Sequence, residues 1–90
     1  MVKVGRYNYE KSTRAGKKLM TSVRGKPVHF GDATREHYKD RTGLWSHLDH
    51  GDSKRRANYL ARSAGIRDGQ GGLTKDDPSS PNWHSRRILW

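Results

Sequence analysis

Large apolar side chains are scarce in this chain. Only 13 of its 90 residues are Leu, Ile, Val or Phe. That is about 14%, under the roughly 20% below which a strongly charged chain starts to read as disordered. A chain of this length buries only about 60–65% of its unfolded surface even when it folds well. A large core is therefore excluded, and one small domain is the most the length allows. Cysteine is absent, which removes disulfide staples, iron–sulfur clusters and cysteine-based zinc sites as remedies. No apolar run exceeds three residues, as in Ile88-Leu89-Trp90, so no membrane span is expected. Met1 is followed by no apolar run of leader length, so no secretory signal is expected either.

Charge is the second constraint. Nineteen Lys and Arg face nine Asp and Glu, a net charge of +10. Residues 1–30 carry eight of the bases and a single acid, Glu10. Residues 31–52 are slightly acidic and rich in histidine, residues 53–67 carry five bases and no acid, and residues 68–90 are balanced. Such a distribution repels itself unless it meets an anion: nucleic-acid phosphate or an acidic protein surface.

Residues 1–17 show neither helical nor strand periodicity and read as an extended basic arm. Residues 18–90 read as a small α+β domain. Within it, Leu19, Thr21 and Val23 alternate with Met20 and Ser22, and Val28 and Phe30 flank His29. With Arg24-Gly25-Lys26-Pro27 between them, these segments predict a β-hairpin, its second strand at an edge because of Pro27. Gly31-Asp32 is expected to break the strand, with Asp32 capping a short helix over 33–40 that ends at Thr42-Gly43. Residues 44–48 suggest one further helical turn, with Leu44 and Leu48 on one side. Gly51-Asp52-Ser53 predicts the cap of a helix over 54–64. Ala57, Leu60, Ala61 and Ala64 have the spacing of its buried face, with Arg55, Asn58, Tyr59 and Arg62 opposite. Gly65 is expected to close it, with Ile66 folded back. Residues 67–82 read as loop. Trp83, Ile88, Leu89 and Trp90 are each worth about 1.5–3 kcal/mol when fully buried. The C-terminal segment is therefore expected to return and close the core over the hairpin and the main helix.

His29, His37, His47 and His50 interleave with Asp32, Glu36, Asp40, Asp49 and Asp52. Imidazole and carboxylate together suit a divalent metal, and His47-x-x-His50 would put two imidazoles within reach on one helical turn. Helix caps and ordinary hydrogen bonds account for the same residues, so no metal or cofactor is assigned. Asp49-His50, with Asn58 and His84 later, resembles the opening of a His-Asn-His nuclease motif. That motif needs a strand after the histidine, where this chain predicts a helix, so no catalytic residue is assigned and an enzyme is not expected. The stronger candidate is the basic helix face of Lys54, Arg55, Arg56 and Arg62 with Tyr59, suited to phosphate or carboxylate, although a solvated face would look the same. Lys3, Arg6, Lys11, Arg14, Lys17 and Lys18 add a sequence-independent electrostatic contribution. Tyr7, Tyr9, Trp83 and Trp90 are candidate aromatic anchors, for bases or for a neighbour's groove.

The blocks Val28-His29-Phe30-Gly31-Asp32, His37-Tyr38-Lys39-Asp40-Arg41-Thr42-Gly43 and Ser46-His47-Leu48-Asp49-His50 are distinctive. With Arg55-Arg56, Tyr59, Arg62 and the Ser-Pro…Leu-Trp ending, they resemble a small family of uncharacterised proteins from large DNA viruses, tailed phages and viral metagenomes. The resemblance spans roughly residues 17–90. It implies a viral origin and a place in the virion, and brings no catalytic residues. The expectation is a non-enzymatic virion protein: a minor capsid, head-completion or cement component, present in many copies. Its partners would be other virion proteins, the major capsid protein among them, and packaged DNA, with no membrane involved. Before packaging it would reside inside the host cell. The alternative is a free nucleic-acid-binding accessory factor that reads DNA with helix 54–64.

Overall fold

The computed structural model describes residues 1–90. At its centre is the hairpin that the alternation predicts. Strands β3 (Lys17–Val23) and β4 (Lys26–Asp32) pair antiparallel from Lys17↔Asp32 to Val23↔Lys26. The two-residue turn Arg24-Gly25 has φ of 53° and 77°. Both values are left-handed, the geometry whose twist matches that of the flanking strands. Gly31 and Asp32 do not break the strand but belong to it. At Gly31 φ is 80°, and a Cβ there would lie 2.8 Å from Leu89 Cδ1, so glycine lets another segment seat directly on the strand.

Residues 1–17 are not an arm. They supply β1 (Val2–Val4) and β2 (Tyr7–Lys11), which extend the hairpin into a four-stranded antiparallel sheet of order β1-β2-β3-β4. The proposed boundary at residue 17 falls at the start of β3. Val2, Val4, Tyr7 and Tyr9 turn towards protein while Lys3 and Asn8 face water, and Tyr9 is 1% exposed. Their period-two pattern is cut after three residues by the Gly5-Arg6 turn, too short a run to stand out from a basic background. The pattern is stabilised by a partner strand rather than by local preference.

Two α-helices complete this α+β domain: α1 (Ser53–Ser63) and α2 (Pro81–Ile88). Helix 33–40 does not form. Its main-chain groups bond across the fold instead: His37 N–H to Leu48 O, His50 N–H to His37 O, Lys39 N–H to Leu89 O and Arg41 N–H to Ile88 O. Asp32 still caps, accepting from Thr34 N–H at 2.9 Å, but in an isolated turn. Residues 46–48 form one turn of 3-10 helix. The presumed loop 67–82 contains a second such turn at 74–76 and the start of α2, where Ser80 caps and Pro81 is the first helical residue. Gly65 is not left-handed, and Ile66 is half exposed rather than folded back.

Sixteen residues are buried, seven of them hydrophobic: Tyr9, Leu19, Val23, Val28, Phe30, Ile88 and Leu89. The C-terminal segment does close the core, through Ile88 and Leu89. The other nine buried residues are polar, so internal hydrogen bonds take over part of the role of apolar packing. His84 is the clearest case. It lies against Tyr7, Tyr9, Phe30 and Trp83 and accepts from Tyr9 Oη–H at 2.7 Å, while its Nε2–H donates to Pro78 O at 2.6 Å. The radius of gyration, 12.5 Å, matches the roughly 12 Å of a compact chain of this length. No helix is long and apolar enough to cross a membrane.

Candidate functional site

Helix α1 starts where Asp52 accepts from the main-chain N–H groups of Lys54 and Arg55. It docks on α2, but not with the alanine face. Tyr59 stacks on Trp90 at 4.2 Å and 11°, and its hydroxyl lies 2.9 Å from Ser85 Oγ. Arg56 donates from Nε to the main-chain oxygen of Trp90 at 2.6 Å. Arg86, from α2, donates to Leu60 O and to Ser63 Oγ, and Asn82 donates to Ser63 O. The docked face is therefore Arg56, Tyr59 and Ser63, while Ala57 and Ala61 are exposed. An alanine stripe offers little area to bury, so a stacked aromatic pair and charge-assisted hydrogen bonds win.

That rotation leaves Arg55, Asn58 and Arg62 lining an open groove of about 1070 Å³, bounded opposite by residues 31–36 and floored by Phe30, Leu89 and Trp90. Lys18, Arg35, Asp32 and Glu36 also line it. Arg55 Nη1 lies 3.2 Å from Glu36 Oε1, and Arg35 Nε lies 3.4 Å from Asp32 Oδ2, each of the four side chains being about half exposed or more. Pairs this wet contribute about 0–1 kcal/mol each. Arg62 has no carboxylate partner. Two hydrogen bonds from Thr34 hold the Asp32 carboxyl below the usual carboxylate range.

A buried network positions the 31–36 rim. Lys18 is 2% exposed, and its ammonium donates to Arg35 O at 2.5 Å and to His37 Nδ1 at 2.9 Å. His37 Nε2–H donates to Asp49 Oδ1 at 2.5 Å, and the same oxygen accepts from Asp40 N–H. Asp40 in turn accepts from Thr42 N–H and Oγ1–H and from Trp45 N–H. Burial lowers the pKa of Lys18, and burial with the Lys18 charge lowers that of His37. This arrangement takes a neutral imidazole that donates on one side and accepts on the other.

Of the residues singled out from the sequence, Arg55 and Arg62 come together in the groove. Lys54 is exposed at the start of α1, and Arg56 is turned away onto Trp90 and the Tyr38 ring. Lys18 is internal. Lys3, Arg6, Lys11, Arg14 and Lys17 are exposed on the sheet and its turns rather than on an arm, and Lys11 lies over Trp45. The aromatic anchors are engaged within the molecule: Tyr9 in the core, Tyr7 edge-on to Trp83, and Trp90 on Tyr59. His47 stacks on Trp45, whereas His50 packs on Trp90 and accepts from Asp52 N–H. No group of three or more His, Asp or Glu is arranged to hold a metal. Asp49, Asn58 and His84 are likewise kept apart, at His37, in the groove and in the aromatic core. Sequence reasoning passed over Arg35 and weighed Glu36 only as a carboxylate among the histidines; their place opposite α1 follows only when the rim folds over that helix. No family model, curated protein or solved structure matches the chain.

Proposed function

We propose that this protein is a non-enzymatic polyanion-binding protein whose ligand is nucleic acid, and that it does this work inside a virion. The observation that carries the binding reading is electrostatic. Only three of the nineteen Lys and Arg side chains, Arg35, Arg55 and Lys75, pair with an Asp or Glu carboxylate. The remaining positive charge is spread over a molecule whose accessible surface is only 5769 Å². Phosphate neutralises such a surface and releases counterions, so affinity falls steeply with salt. The groove, with Arg55 and Arg62 projecting from one helix, is where that charge meets shape. The virion setting rests on the sequence resemblance. There the protein acts in many copies, between packaged DNA and other virion proteins.

The test is fluorescence anisotropy of labelled DNA across a salt series. Binding at low salt is expected, with Arg55→Ala and Arg62→Ala each reducing the slope of log K against log salt by about 0.7–1. Arg67→Ala, outside the groove, should affect affinity less. Absence of binding at low salt sinks the proposal. Stoichiometric co-purification with particles tests the virion setting.

A further inference from the structure

The sign of the groove suits nucleic acid in general, but its shape suits only one form of it. A duplex is read by elements that stand proud and enter its grooves, or by flat basic surfaces along its backbone. Here Arg55, Asn58 and Arg62 line a concavity between α1 and the 31–36 rim. The whole molecule measures 35 × 29 × 25 Å, so a rod about 20 Å across cannot enter that concavity, whereas a single strand can. The cleft also holds what single strands use: cations along a channel and, in the half-buried Tyr59–Trp90 stack, aromatic surface that an unpaired base can meet where the stack is left exposed.

Two acids complicate the picture informatively. Glu36 and Asp32 sit in the same groove and hold Arg55 and Arg35. A carboxylate on an arginine occupies the position a phosphate oxygen would take, because the guanidinium fork recognises both. Both pairs are solvent-exposed, so exchanging carboxylate for phosphate sacrifices little.

Resting on the polyanion-binding reading, we infer that the groove is a single-strand-binding site in which backbone phosphates displace Glu36 from Arg55 and Asp32 from Arg35. The acids then act as built-in competitors. They keep the groove weakly occupied, and they disfavour ligands that cannot reach both arginines. Lys18 and His37 hold the rim in place from beneath.

The experiment is competition against a labelled oligothymidylate about a dozen nucleotides long, using the full chain, with unlabelled oligothymidylate or a duplex of equal phosphate content. Single strand is expected to compete about tenfold better. Glu36→Gln is expected to tighten single-strand binding about fivefold, the effect of removing one like charge at contact distance. The matched control is Asp76→Asn, which removes the same charge and also frees a cation, Lys75, but outside the groove. It should tighten binding less than twofold, within general screening. Equal or better competition by duplex overturns the inference, and so does a Glu36→Gln effect no larger than that of Asp76→Asn. Either result leaves the polyanion reading standing, whereas failure of both nucleic acids to bind at low salt removes that reading itself.

Discussion

Replacing Gly31 by alanine tests how the C-terminal segment is seated and thereby how the groove acquires its floor. Gly31 lies in β4 with φ of 80°, where a side chain costs about 1–2 kcal/mol by itself. The added Cβ would also stand 2.8 Å from Leu89 Cδ1 and 3.1 Å from Lys18 Cβ. Leu89 is 1% exposed and Lys18 is 2% exposed, so neither can swing into solvent. Overpacking of this kind adds about 1–3 kcal/mol. The expected loss is therefore about 2–5 kcal/mol, a large share of the roughly 5–13 kcal/mol typical of a domain this size. Gly43→Ala is the control, because φ there is 75° but no atom lies within 4 Å, leaving only the conformational cost. Urea unfolding followed by tryptophan fluorescence measures both, and Gly31→Ala should lose at least about 1 kcal/mol more. Leu89→Ala in the same chain should partly relieve the clash, making the double variant less destabilised than the sum of the singles. Equal losses at Gly31 and Gly43, or strict additivity with Leu89→Ala, would refute direct packing of Leu89 on the glycine.

Two further outcomes are expected. Deleting residues 1–11 removes β1, β2 and the buried Tyr9, so the chain should lose its cooperative thermal transition. A sharp transition retained by the truncated chain, measured by circular dichroism, would restore the view of this segment as an appendage. Stability should also fall on acidification. Burial lowers the pKa of His37, which faces Lys18, Asp49 and Asp40, and that of His84, which faces Tyr9 and Arg87. The unfolded chain then binds protons that the folded one refuses, so stability is fully present above about pH 6.5 and declines as pH falls below it. Each histidine contributes up to about 1.4 kcal/mol per pH unit between 6.5 and its own lower value. Urea midpoints at pH 7.5 and 5.5 measure this, and an unchanged midpoint would mean that neither imidazole is held neutral.

What could be read in advance was local. Strands β3 and β4 declare themselves by alternation over Leu19–Val23 and Val28–Phe30, joined by a glycine-containing turn, although their outer residues break that alternation. Asp52 announces α1 because a carboxylate ahead of a helical run satisfies that helix's own first N–H groups. Ser80-Pro81 carried an equally local signal for α2, hidden by the polar, proline-bearing stretch before it. Helix 33–40 was misread for the opposite reason: the local signal at Asp32 was real, but Leu48, Ile88 and Leu89 offered its main chain better partners.

The sequence alone determined that the core would be thin, that the surface would be strongly positive, and that a hairpin and a capped basic helix would form. Those properties follow from composition and from neighbours a few residues apart. Only the tertiary structure decided that residues 1–11 belong to the sheet and that α1 docks through Arg56, Tyr59 and Ser63. It alone decided that Arg35 and Glu36 face Arg55 and Arg62 across a groove. Each of these depends on contacts between segments tens of residues apart, and with so little apolar surface the orientation of a helix is set by a stacked ring and a few hydrogen bonds rather than by a hydrophobic stripe.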